Sequence, residues 1–392
     1  LNLKKNIMTF LRSLYFLVFL ATPCFSHLIK TDVLFVLYDM GEAKGLQPLM
    51  SLLSKNGKSY KILALGQASE AFPVDSNIIP LPLKKDHVLD WNRSQTLETG
   101  LLAFLDTIEC KVVISGMACL AQAQILEQFG NKNTWTVAFY DNFDGPETKT
   151  YILPFLKYGT TVHELWVPSK QTYDGFDKNF QPFWGQMCIM GQPALESWQH
   201  TFLTTDRMSI RQELDIGPET PCVLFVGGYD DTYEEALKVF LEATNLLQTD
   251  DVQFLISPHP KTYGVLERKL VDEQVDDVNV LIPHGYSTSE LATISHLVIC
   301  HKSTVGVLAL YQGIPVVYVA KKDNYSNFVI QEGQAGQVET PSALVDAILA
   351  ALSAPHSGKR SFNALGIPGN ASRVMFERLL QKMENVPGRK SF

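Results

Sequence analysis

What this sequence lacks narrows its function first. Basic residues form no long run, and 33 of them face 41 acidic ones, for a net charge of −8. A protein that binds nucleic acid carries a basic patch to meet the phosphates, so that class is set aside. Cysteines are few, six in all, with no CxxC and no Cys/His spacing suited to a metal. Cys222 and Cys300 fall in apolar runs and read as small buried hydrophobes; Cys110, Cys119 and Cys188 show no pairing pattern. Unpaired thiols suit a reducing compartment. No internal repeat or low-complexity tract appears, and no apolar run is long enough to span a bilayer comfortably.

The first residues point the other way. Lys4, Lys5 and Arg12 precede SLYFLVFLAT, then PCFSH, with the small Ser26 before His27. A basic stretch, a short apolar stretch and a small residue are the order of a secretory signal peptide or N-terminal anchor, here over 1–27. This predicts an exported or membrane-associated protein of the cell envelope, or one at the cytoplasmic face if the segment is not a true signal. The cysteine usage and this segment remain in conflict.

What is present is alternation. The chain has 392 residues and is 46% hydrophobic, enough for two cores. Apolar β-type runs (DVLFVLY, YKILAL, KVVIS, TWTVAFY, HELWVP) are separated by helical patterns, including ones near 94–108, 118–129 and 146–158. Continuous apolar strands between helices imply a parallel sheet covered on both faces, so the fold class is α/β, doubly wound. The pattern breaks at FWGQMCIMGQPALESW (183–198), which has Gly, Pro and no clear period, and restarts at CVLFVGG. Two Rossmann-like domains follow, at 28–190 and 191–360, with a capped amphipathic helix and tail at 361–392, its cap at Asn370 or Ser372.

In such sheets a ligand binds beyond the carboxyl ends of the strands. After the first strand, Gly41, Glu42 and Gly45 mark a turn; after the third, Ser115 and Gly116 mark another. These are expected to form an acceptor-side loop region. After TWTVAFY come Asp141 and Asp144, read either as turn residues or as a general base towards a hydroxyl. In the second half, three strands end in Gly227-Gly228-Tyr229-Asp230, in Pro258-His259-Pro260 and in His301-Lys302-Ser303-Thr304. Flanking prolines stop the strand and hold His259 extended. Ser303 and Thr304 open a helix, where N–H groups favour an anion, although ordinary capping uses the same residues. Together Gly227, Gly228, His259, Lys302, Ser303 and Thr304 suit a phosphate or diphosphate.

At this point the second half resembles the nucleotide-sugar glycosyltransferases of the GT-B fold. LDIGPETPCVLFVGG is similar to the entry into their donor domain, CIMGQPAL to their interdomain linker, and HLVICHKSTVGVLALYQGIPVVYV to their strand–Ser/Thr–helix–Gly-x-Pro segment. The HP dipeptide with a Ser/Thr motif is most like the bacterial sialyl-, Kdo- and polyglycerol-phosphate transferases. The resemblance implies that His259, Ser303 and Thr304 engage the donor's phosphate and that Asp141 or Asp144 is the base. One segment departs from it: STVGVLALYQG carries no acid where many such enzymes hold the ribose. It also differs from the related sugar-nucleotide 2-epimerases, whose equivalent segment is Gly-rich and followed by acids.

The expected function is therefore metal-independent transfer of a sugar from a CMP-, CDP- or UDP-linked donor to a glycan or lipid-linked hydroxyl acceptor, with no cofactor and no nucleic-acid partner. Asp141, Asp144 and His259 are its expected catalytic residues. Tyr229, Tyr286 and Tyr325 are equal candidates to stack on the base. The alternatives are an exported two-domain protein that binds a sugar or phosphate without catalysis, and a nucleotide-sugar epimerase or hydrolase.

Overall fold

The computed structural model describes residues 28–72, 75–81, 95–132, 134–143, 155, 162–180, 185–247, 249, 251–260, 262–274, 280–354 and 366–384. The signal-like segment 1–27, Asp144 and the helix expected near 146–158, Phe155 excepted, lie outside them. Two six-stranded sheets, parallel throughout, carry the fold. The first holds β1 (Ile29–Leu37), β2 (Tyr60–Ala64), β3 (Ile108–Ser115), β4 (Trp135–Phe139), β5 (Glu164–Val167) and β6 (Gln186–Ile189) in the order β2-β1-β3-β4-β5-β6. The second holds β7 (Cys222–Val226), β8 (Gln253–Ser257), β9 (Val280–Leu281), β10 (Leu297–Cys300), β11 (Val316–Val319) and β12 (Gly336–Val338) in the order β12-β11-β10-β7-β8-β9.

The continuous apolar runs are explained by burial on both faces. Along β1, Leu34 and Val36 enter one core and Val33, Phe35 and Leu37 the other. Along β7, Cys222, Leu224 and Val226 face one layer while Val223 and Phe225 face the opposite one. A strand covered on both sides has no polar face, so its sequence does not alternate. Helices cover the sheets: α1 (Met40–Lys55), α2 (Thr99–Leu105), α3 (Leu120–Gly130) and α4 (Lys170–Phe180) in the first half; α5 (Ala194–Thr204) and α6 (Arg207–Glu213) at the passage between sheets; α7 (Tyr233–Leu247), α8 (Val265–Gln274), α9 (Thr288–Thr293), α10 (Val305–Tyr311), α11 (Phe328–Gln331) and α12 (Pro341–Ser353) in the second; and last α13 (Ala371–Glu384). The architecture is two Rossmann-like α/β domains, as expected from the alternation.

Three expectations need correction. The stretch without a clear period, whose CIMGQPAL part the resemblance gave as linker, supplies β6, the edge strand of the first sheet, paired to β5 from Glu164↔Gln186 to Val167↔Ile189. Four half-exposed residues are too short for a period to show. The helix expected at 94–108 is only Thr99–Leu105, because Ile108 already pairs with Ile29 in the sheet. The C-terminal helix, expected only as a separate tail element, crosses back: its Met375 and Leu379 are buried in the core of the first domain beside Leu46 and Leu49 of α1. Of the two residues expected as its cap, Asn370 stands directly before the helix, its carbonyl accepting from Val374 N, and Ser372 does not cap it. Ser372 lies in the first turn, and its N–H donates to Glu196 of α5 at 2.7 Å while its hydroxyl bonds the same carboxylate.

Candidate functional site at the facing strand ends

The carboxyl ends of β1, β3 and β4 are adjacent in the first sheet, and those of β10, β7 and β8 in the second. Two contacts join these edges. Phe143, just beyond β4, is buried in the second domain's core cluster with Leu195 and Phe328, its ring 6.3 Å from that of Phe328. Tyr263, beyond β8, donates from its hydroxyl to Glu70, beyond β2, at 3.3 Å. The strand ends of the two domains therefore face one another.

On the first edge the structure gathers carboxylates. Gly41 and Glu42 are not loop residues: α1 begins directly after Asp39, and Glu42 occupies its first turn in a capping box with Asp39. That D-x-x-E spacing was visible in the sequence and points to a helix start. Glu42 is almost wholly buried (1% exposed). Its Oε2 accepts from the backbone N–H of Tyr38 at 2.9 Å and from Gln122 Nε2 at 2.9 Å. Asp141 lies close by: a Cβ at Gly41 would stand 2.9 Å from its Oδ2. Burial, reinforced by the charges of Asp141 and Asp39, pushes the Glu42 carboxyl up to about 8. Burial and its neighbours thus favour the protonated form of Glu42 beside Asp141, an acid next to a second carboxylate. Asp141 is held by its carbonyl, which accepts from Gln192 Nε2 at 2.7 Å in the passage to the second domain.

Ser115 and Gly116 take other places than expected. Ser115 is fully buried at the end of β3. Gly116 gives its N–H to Val36 O at 3.0 Å, so that donor is not turned to a ligand. A Cβ there would fall 1.9 Å from the Glu42 carboxyl carbon. Glycine is present at 116 because the carboxyl of Glu42 occupies the space of a side chain.

On the second edge Gly227 lies against the HP turn and Gly228 near His301, while Lys302, Ser303 and Thr304 have partners of their own. Gly227 donates its N–H to Ser257 O at 2.8 Å, and a Cβ on it would come 2.5 Å from His259 N. Its role here is close approach of two backbones, not donation. Gly228 lies under the ring of Tyr233, which a Cβ would meet at 2.7 Å. His259 is half-buried, and its ring lies 4.6 Å from that of Tyr229. The HP turn is braced from below: Thr262 Oγ1 donates to His259 O at 2.9 Å, and the fully buried Glu267 accepts from Tyr233 OH at 2.8 Å. Ser303 Oγ accepts from Val305 N at 3.2 Å, and Thr304 is the N-cap of the seven-residue α10.

Lys302 is engaged by the protein itself. Its ammonium lies 3.2 Å from Asp230 Oδ2 and 2.9 Å from Thr232 Oγ1. The buried His301 places Nδ1 2.9 Å from Val319 O, a pure acceptor, and Nε2 3.1 Å from Asp230 Oδ1. Burial alone would raise the Asp230 carboxyl; the Thr232 hydroxyl and N–H, His301 and Lys302 outweigh it and hold it down at about 2. Sequence reading passed over Asp230, Thr232 and His301 as chemical groups, since only the sheet order brings β7 and β10 side by side. The structure also separates the three tyrosines. Tyr286 bonds Glu213 and Tyr325 packs 5.5 Å from Tyr318, while Tyr229 is half exposed beside His259.

Among the described residues no cluster of His, Cys, Asp and Glu is arranged for a metal, and no helix is long and apolar enough to cross a membrane. The five cysteines from Cys110 to Cys300 are free thiols.

No family model and no curated protein matches the sequence. Solved structures do match its fold. The UDP-GlcNAc 2-epimerase of Neisseria meningitidis, bound to UDP-GlcNAc, is 16% identical with a TM-score of 0.67, over 90% of this chain and 100% of that one. The UDP-GlcNAc 2-epimerase of Methanocaldococcus jannaschii, in complex with UDP-GlcNAc and UDP, is 12% identical with a TM-score of 0.63, over 90% and 99%. A glycosyltransferase of Rickettsia africae is 12% identical with a TM-score of 0.55, over 91% and 94%. The likeness reaches the fold and not the finer HP-motif class. The chain thus has the two-domain GT-B-type fold that nucleotide-sugar 2-epimerases and glycosyltransferases share.

Proposed function

We propose that the protein is an enzyme acting on a UDP-linked sugar held between the two strand-end edges. The observation that carries this reading is the division of chemistry across the cleft. Imidazole, ammonium and hydroxyl groups lie on the second edge, and a protonated carboxyl beside Asp141 on the first. Nucleotide and phosphates belong at the former and the sugar at the latter. The UDP-containing neighbours support the choice of nucleotide.

As a transferase, the acceptor oxygen forms a bond to the anomeric carbon while the bond from that carbon to the phosphate oxygen breaks. Asp141 takes the acceptor's proton, and UDP leaves with its charge met by His259 and Lys302. Epimerisation is the second reading, favoured by Glu42 and Asp141 standing together as acid and base. The departure at STVGVLALYQG argued against it from one segment, whereas the likeness in fold runs over the whole length.

Incubation with UDP-GlcNAc in D₂O, with and without glycan acceptors, separates the readings. UDP released only with an acceptor supports transfer. Deuterium entering the sugar at C2 without acceptor supports epimerisation. If neither UDP nor UDP-GlcNAc raises the melting temperature, the nucleotide-sugar reading is overturned, and the exported binding-protein alternative takes its place.

A further inference from the structure

The arrangement around Asp230 goes one step beyond this reading and rests on it. Its carboxylate lies at the end of β7, only about a third exposed (35%). Three donor groups and the His301 ring surround it. Thr232 N–H lies 2.9 Å and Thr232 Oγ1 2.8 Å from Oδ1, His301 Nε2 3.1 Å from Oδ1, and Lys302 Nζ 3.2 Å from Oδ2. A backbone N–H, a hydroxyl and an ammonium converging on one carboxylate, with an imidazole nitrogen beside them, are groups of the kind that hold a phosphate oxygen. The set also lies at the strand-end edge, beside the HP turn. We infer that Thr232, His301 and Lys302 form a phosphate-oxygen subsite that Asp230 fills with its own carboxylate, so that the nucleotide's phosphate binds by displacing it.

The other charges nearby do not do this. Glu235, in the first turn of α7, pairs with Lys321 at 2.9 Å, and neither bonds Lys302 or His301. A carboxylate in the donors' grip competes with phosphate directly, whereas Glu235 acts only through distance and screening.

The experiment is calorimetric titration of UDP and of inorganic phosphate into the full chain and its Asp230→Asn, Asp230→Ser, Glu235→Gln and Lys302→Met variants, each first checked by its melting transition. The expected result is at least fivefold tighter binding of UDP in both Asp230 variants, an unchanged constant in Glu235→Gln, and at least tenfold weaker binding in Lys302→Met. A gain with UDP but not with phosphate places the subsite on the nucleotide's diphosphate; a gain with both assigns it to phosphate generally. Equal or weaker UDP binding in both Asp230 variants overturns the inference while leaving the nucleotide reading in place, as Asp230 then only anchors Lys302. The same gain in Glu235→Gln also overturns it, since net charge then suffices. Absence of UDP binding in every protein, wild type included, removes the inference and the nucleotide reading together.

Discussion

Glu42 opens α1 and Asp141 follows β4, about a hundred residues apart in sequence, yet they lie near one another at one sheet edge, and the burial of Glu42 together with the Asp141 charge raises the Glu42 carboxyl to about 8. The stability consequence has a definite sign. Below the ordinary carboxylate range both folded and unfolded chains carry the proton. Between about pH 4.5 and 8 only the folded chain keeps it, so stability falls as pH rises, by about 1.4 kcal/mol per unit at most. Above that range no further loss comes from this group. Glu42→Gln is neutral throughout. Its melting temperature should gain on the wild type between pH 5 and 8 and track it below pH 4.5. Equal pH profiles would show that Glu42 is ionised in the folded protein. Loss of the proton should also lower kcat about 100-fold or more if Glu42 is the acid.

Gly116 tests the same contact from the other side. Alanine there would place a methyl 1.9 Å from the carboxyl carbon of Glu42. Overpacking of this kind costs about 1–3 kcal/mol. Gly116→Ala should lower the melting temperature, and Gly116→Ala with Glu42→Ala should recover part of the loss. An additive double variant would separate the two positions.

The C-terminal helix is locked to the first sheet by charge. Glu164 of β5 is fully buried, accepts from Trp166 Nε1 at 2.8 Å, and is met by Arg378 Nε at 3.0 Å and Lys382 Nζ at 3.2 Å. Burial opposes ionisation here, but the Arg378 guanidinium outweighs it and lowers the carboxyl from its ordinary value. This stabilisation is present at neutral pH and is lost as pH falls through the lowered value. Removing one partner of a buried pair costs about 3–5 kcal/mol, and the lower end applies because Lys382 remains. Arg378→Ala should therefore unfold at clearly lower urea, while Arg378→Met with Glu164→Gln should regain most of the difference.

His259 tests the nucleotide end. A hydrogen bond to a charged group contributes about 1.5–3 kcal/mol, so His259→Ala should weaken UDP binding roughly 10- to 100-fold. The melting temperature should change little, since the ring is half-buried beside Tyr229 at the protein surface. Unchanged UDP affinity would remove His259 from the phosphate site.

Much of this molecule follows from local chemistry. Uninterrupted apolar runs such as DVLFVL and CVLFV admit no polar face, so they dictate parallel strands covered on both sides, and prolines around His259 dictate where β8 stops. The alternation of such runs with helical patterns determined two doubly wound domains and drew attention to their strand ends. Tertiary structure decided the rest. The four residues of β6 become a strand only because β5 offers them an edge, and α13 leaves the second domain because its apolar face fits against α1 and its cations reach Glu164. Lys302 looks like a free ammonium in HKST; strand order sets it beside Asp230, some seventy residues away. The protonated state of Glu42 likewise depends on burial and on a neighbour about a hundred residues distant. Charge and hydrogen-bond energies fall off over a few ångströms, and only the folded chain sets distances on that scale.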